Sequence, residues 1–217
     1  MSHTADAARF APYADLAKTL LPHLDGTTDG SHDLAHIARV FRNASRIHEL
    51  EGGNGLILAA AVLLHDCVAV EKNSPLRSQA SRLAADKAAM VLDQLGWRGV
   101  DCAGVYHAIL THSFSAGREP ETLEAKILQD ADRLDAIGAV GAARCFYTAG
   151  RMGSSLYDAA DPLAKDRPLD DRAFAIDHFP VKLFTLAEGF KTAAGQAMAK
   201  ERHARLVTIY EQFLDEI

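Results

Sequence analysis

The sequence predicts an all-α protein, and three observations carry that expectation. Alanine (39) and leucine (25) dominate the 217 residues, and both are strong helix formers. Aromatic residues make up only 7% against a hydrophobic share of 48%, a balance that suits packed helices better than a β-sandwich. Apolar residues recur at helical spacing, and no alternating strand pattern persists. The length is ample for one buried core. A single domain is expected over residues 1–217, with core motifs at about 30–150 and loop plus C-terminal helices at 151–217.

The elements follow in order. Residues 5–21 read as an N-terminal helix. Capping residues at 29–33 precede Leu34, Ile37, Ala38, Phe41 and Ala44 at helical spacing. His36, Val40 and Ile47 form a second line, so this helix is apolar on two sides and expected to be well buried. Gly52, Gly53 and Gly55 end it. The run LILAAAVLLHD at 56–66 is apolar all round, as a central helix among neighbours should be. After the Asn73-Ser74-Pro75 break, residues 79–95 form a helix stopped by Gly96 and Gly99, and 101–111 form another. From Thr122 one long helix is expected, its stripe passing through Leu123, Ile127, Ala131, Leu134, Gly138 and Ala142. Residues 150–180 change character, with Pro162, Pro168, Pro180 and five aspartates between 158 and 171. An excursion of about 30 residues is long for a compact domain and more often serves a lid or binding role. The last helix starts at about Ala194 and carries Leu206, Ile209, Tyr210, Phe213 and Leu214 on its stripe.

Composition removes several function classes. The formal net charge of −6 argues against an extended basic surface for nucleic acid. The longest apolar run, 56–64, is too short to span a bilayer, and no charged-then-apolar signal opens the chain, so no membrane role is expected. Cys67, Cys102 and Cys145 are odd in number and widely spaced, which points away from a disulfide framework and towards a cytoplasmic setting. Ten histidines are reason to look for a metal.

Four side chains stand out by their position. His36 lies on an apolar helical face, His65 and Asp66 end the most apolar helix, and Asp132 falls on the line Leu128, Asp132, Asp135, Ala139. Buried unpaired, these groups would be costly, and a cation would compensate them. Helix neighbours are about 100° apart, so His65 and Asp66 can share an ion only near a helix end. His36 and Asp132 would then reach it from two adjacent helices. Two nitrogens and two oxygens suit an octahedral divalent ion better than a closed structural zinc site. Each residue also has a plainer reading, as a satisfied core histidine or as an Asp132 paired with Arg133 or Arg39. Both readings stand on spacing alone.

The segments SHDLAHIARV, LLHD and LQDADRLDAIGAVGAAR reproduce an H…HD…D pattern, and the chain resembles the HD superfamily of metal-dependent phosphohydrolases. VAVEKNSPLRSQAS, HAILTHSFSAG, DHFPVKLFTL and AKERH extend the likeness to a small bacterial HD branch, from about residue 30 to 205. The resemblance implies an HD-type helical bundle with His36, His65, Asp66 and Asp132 as ligands of one divalent ion of Mn, Ni, Co, Fe or Mg. It implies hydrolysis of a phosphate ester or anhydride in a small phosphorylated substrate, with a nucleotide foremost. Alternatives within the likeness are a two-iron oxygenase and a non-catalytic nucleotide sensor.

Further residues are candidates for the substrate pocket and the acid–base step. His107 and His112 are expected at the substrate first and as ligands of a second metal second. Five residues apart on a helix they diverge by about 140°, so they converge only if the helix ends before His112, which residues 113–117 permit. Lys72, Asn73 and Arg77 supply phosphate-binding chemistry, against a plainer reading as solvated loop residues. His178 and Lys182 are further candidates, and Arg144 another. Asp66, Glu71 and Asp135 are the catalytic candidates, with Asp130 also near in sequence; Asp135 would hold a histidine or water beside the metal, or pair with Arg133 or Arg39. Cys67 is expected to be a buried small apolar residue. The DHFPVKLF segment is either a lid or the loop's return to the core, and as a lid its upstream aspartates would point away from phosphates. A homodimer is compatible with the terminal helices.

Overall fold

The computed structural model describes residues 6–25, 33–70 and 74–217, the side chains of residues 77, 100 and 115 apart. Its α-helices are α1 (Ala14–Leu20), α2 (Leu34–Glu51), α3 (Gly55–Leu64), α4 (Ala80–Gln94), α5 (Gly99–Thr111), α6 (Leu123–Leu134), α7 (Gly138–Met152), α8 (His178–Val181) and α9 (Ala193–Asp215). Among the described residues the pairing of extended backbone is limited to an isolated parallel bridge, Ser155 with Phe174. The protein is all-α, as its composition predicts. No helix among these residues is long and apolar enough to cross a membrane. The chain divides into two compact units, Met1–Asp132 and Arg133–Ile217.

In the first unit, α3 is the central helix expected from its sequence: every residue from Ile57 to Leu64 is buried. Helices α1, α2, α4 and α5 pack against it. Asn54 starts α3 by accepting from the backbone N–H groups of Leu56 and Ile57, a cap of about 1 kcal/mol. Asp33 does the same for α2, accepting from His36 N at 3.0 Å. The N-terminal region departs from the single helix expected over 5–21. A 3-10 turn at Ala8–Phe10 stops before Pro12, and α1 begins at Ala14. Proline has no N–H and keeps the residue before it out of helical geometry; Ala11 sits at φ −57, ψ 141.

The second departure lies after α6. The long helix expected from Thr122 through Ala142 is two helices, parted at residues 135–137. Ala136 N and Ile137 N close onto the carbonyls of Arg133 and Leu134, three residues back, and Gly138 takes φ +74. A Cβ at Gly141 would collide with the Ala136 carbonyl. The glycines at 138 and 141 therefore permit a corner that the helical stripe conceals. The polar groups of this corner are taken up by arginines of the second unit. Arg202 donates to the Leu134 carbonyl, Arg144 to the Asp135 backbone and carboxylate, and Arg133 to the carbonyls of Glu188 and Gly189.

Helices α7 and α9 pack together in the second unit. Phe146, Phe179, Phe184, Tyr210 and Phe213 meet there with ring centroids 5.2–6.2 Å apart. The aspartates of the connecting segment act on their own backbone: Asp158, Asp161 and Asp170 accept from nearby amide N–H groups. Arg167 lies over the Phe174 ring and makes a two-point contact with the buried Asp177. Burial pushes the Asp177 carboxyl up, but the Arg167 guanidinium and the Asp170 N–H outweigh it and hold the group below its usual range.

Candidate metal centre

Three helices of the first unit bring His36, His65, Asp66 and Asp132 together. His36 sits in the opening turn of α2, where Asp33 caps its own N–H; the residue is 1% exposed. His65 follows the last residue of α3, wholly buried. Its Nδ1 donates to the Val62 carbonyl at 2.8 Å. A carbonyl can only accept, so the neutral ring carries its lone pair on Nε2. Burial, the largest cause, lowers the His65 pKa and outweighs the raising effect of Asp66. The ring is therefore held in the form that ligates metals.

The donor atoms converge on a small volume. His36 Nε2 lies 3.3 Å from His65 Nε2 and 3.4 Å from Asp132 Oδ1. Asp66 Oδ2 is 3.6 Å from each of these imidazole nitrogens. One ligand atom each from His36, His65 and Asp132 lies within 4.8 Å of the others. Donors bound at ~2.1 Å to one ion stand ~3.0 Å apart when adjacent and ~4.2 Å apart when opposite. The separations of 3.3–3.6 Å fall inside that range and exceed those of charge-assisted hydrogen bonds. Two buried nitrogens and two carboxylates thus fit a divalent cation of the harder, mixed-ligand kind.

His112 also enters this group. Helix α5 ends at Thr111, the condition expected to let His107 and His112 converge, yet the two histidines go to different partners. Its Nδ1 donates to the Ile109 carbonyl at 2.6 Å, its Nε2 is 3.8 Å from Asp66 Oδ1, and its ring lies 5.1 Å from that of His65. His107 is occupied elsewhere: its Nε2 accepts from Glu121 N at 3.0 Å.

The other sequence candidates fall into separate places. Glu71, Lys72, Asn73 and the Arg77 side chain lie outside the described residues. In the second unit, Asp135 is buried and pairs with Arg144 at 2.8 Å. His178 Nδ1 bonds Asp171 at 2.8 Å, and Lys182 is exposed. Cys67 is wholly buried and donates to the Ala84 carbonyl, with its thiol pushed up to about 12 by burial. Two buried amides, Asn43 and Gln129, adjoin the cluster without having been singled out in the sequence. A polar amide on an apolar helical face is the signal that marks them.

Comparison with known proteins agrees with this geometry. The family model of the HD domain matches residues 33–137, which hold all of the clustered side chains. The uncharacterized protein YpgQ of Bacillus subtilis is 33% identical over 211 residues, covering 94% of this chain and 93% of that protein. The crystal structure of YpgQ in complex with ADP is 35% identical, with a TM-score of 0.68 over 86% of this chain and 90% of the other. A crystal structure of an HD-superfamily hydrolase from Bacillus thuringiensis is 29% identical, with a TM-score of 0.70 over 97% of each chain. With an all-α fold and an H…HD…D set drawn together in space, this chain belongs to the HD-domain family.

Proposed function

We propose that this chain is a metal-dependent phosphohydrolase that cleaves a phosphate ester or anhydride in a small phosphorylated substrate, a nucleotide foremost. The observation that carries the reading is the clustering of His36, His65 and Asp132, whose ligand atoms lie within 4.8 Å of one another, with Asp66 Oδ2 3.6 Å from both imidazole nitrogens. The ADP held by its relative YpgQ supports a nucleotide.

These four residues would hold one divalent ion of Mn, Ni, Co, Fe or Mg. When bound, such an ion makes water nucleophilic near neutral pH and offsets charge on phosphoryl oxygens. The chain's own residues supply the rest. Val62 keeps the His65 Nε2 lone pair directed into the cluster. Asp66 offers one oxygen to the imidazoles and turns the other towards His112, so it can take a proton on the side where His112 stands. His112 presents Nε2 to the substrate, and a second ion, if one binds, would find this nitrogen and Asp66 Oδ1 together. Glu71 is a further acid–base candidate. Lys72, Asn73 and Arg77 are the proposed contacts to the substrate's phosphates, and we read the protein as cytoplasmic.

The test is turnover of nucleoside mono-, di- and triphosphates with Mn²⁺. His65→Ala and Asp66→Ala should each lose activity by about 100-fold or more, as removal of a group that stabilises the transition state does. Full activity in both variants overturns the site.

A further inference from the structure

Two buried amides tie α6 to its neighbours within one turn of the position from which it delivers Asp132. Asn43 stands seven residues beyond His36 on the same face of α2, 2% exposed. Its Nδ2 donates to the Ala131 carbonyl at 3.0 Å, on the peptide next to Asp132. Gln129, one turn before Asp132 on α6, is also 2% exposed. Its Nε2 donates to the Thr111 carbonyl at 2.8 Å, on the residue before His112. One amide therefore ties the helix that carries His36 to the helix that carries Asp132. The other ties that same helix to the end of α5, where His112 leaves it.

Stability does not account for Gln129. Its Oε1 is buried with no hydrogen-bond partner among the described residues. An orphaned buried acceptor opposes folding, and a methionine would fill the same volume without one. What the amide contributes is direction. A bond between two named atoms fixes a helix along its axis and about it, which apolar contact does loosely. A ligand set works only when held to within about 0.5 Å.

We propose that Asn43 and Gln129 are positioning residues of the metal centre, setting Asp132 and His112 through the peptides beside them. The inference rests on the metal-centre reading above. It is tested by calorimetric titration of Mn²⁺ into the purified full chain, with helicity followed by circular dichroism. Asn43→Ser and Gln129→Met should each bind Mn²⁺ about 10–100-fold more weakly at unchanged helicity, as loss of a group that orients metal ligands does. Ser45→Ala serves as control, because its hydroxyl bonds the Phe41 carbonyl of its own helix; it should bind like the wild type. Where a variant does not fold, Asn43→Ala replaces Asn43→Ser and Gln129→Leu replaces Gln129→Met; each should weaken Mn²⁺ to the same degree, because neither side chain can donate to the carbonyl that the amide holds. Equal Mn²⁺ affinity in the wild type and the folded variants overturns the inference alone. Absence of Mn²⁺ binding by the wild type overturns the metal-centre reading and the inference with it.

Discussion

His65 and His112 are presented by one local device. Each follows the last residue of a helix, and each donates Nδ1 to the carbonyl three residues back. The bond fixes the tautomer, so both rings offer Nε2 to the region of Asp66. The His-Asp pair was open to sequence reasoning because two polar residues end an otherwise apolar run. His112 was open to it as a candidate, but its direction was not, because that depends on α5 ending at Thr111. The burial that lowers the His65 pKa has a measurable consequence. An unfolded imidazole titrates near 6.5, so below that pH the unfolded chain binds a proton that the folded, metal-free chain resists. The contribution is whole above pH 6.5 and is lost as pH falls towards the depressed folded value. In urea titrations with chelator present, the wild type should lose stability between pH 7 and 5 more steeply than His65→Gln, by up to about 1.4 kcal/mol per pH unit. Parallel slopes would refute this.

At the level of elements, most helix starts and stops are visible as local chemistry. Asp33 and Asn54 cap where side-chain acceptors precede apolar periodicity. The corner between α6 and α7 is different, because a stripe from Leu123 to Ala142 satisfies helical spacing on both sides of the break. What separates the helices is Gly138 at φ +74, with the Arg202 side chain 3.3 Å from where a Cβ would stand. This reverses the expected effect of a substitution. In a continuous helix, Gly138→Ala would stabilise by about 1 kcal/mol. At this corner it should destabilise by about 1–2 kcal/mol, through positive-φ strain and contact with Arg202. The sign of the change in a urea midpoint decides between them.

For the molecule as a whole, the net charge of −6 argues against a broad surface for polyanions and is compatible with the proposed metal-centred phosphate pocket. A cation bound only by the folded chain stabilises that state by mass action. Mn²⁺ at about 100 times its dissociation constant should add ~2.7 kcal/mol and raise Tm. Chelator should reverse the rise, and His65→Ala should not show it. A wild-type Tm indifferent to Mn²⁺ would count against the centre. Helix content, the central place of α3 and the buried thiol of Cys67 follow from residue type and local spacing, because propensity and periodicity are properties of short stretches. Spacing also marks His36, His65, Asp66 and Asp132 as unusual, while their role as one ligand set comes from the family resemblance. The approach of His112 to Asp66 in particular, the departure of His107 to Glu121, the pairing of Asp135 with Arg144 and the amide ties of Asn43 and Gln129 do not follow from local spacing. Each depends on where a carbonyl, a guanidinium or a helix end from a distant part of the chain comes to rest, and that position is a product of packing.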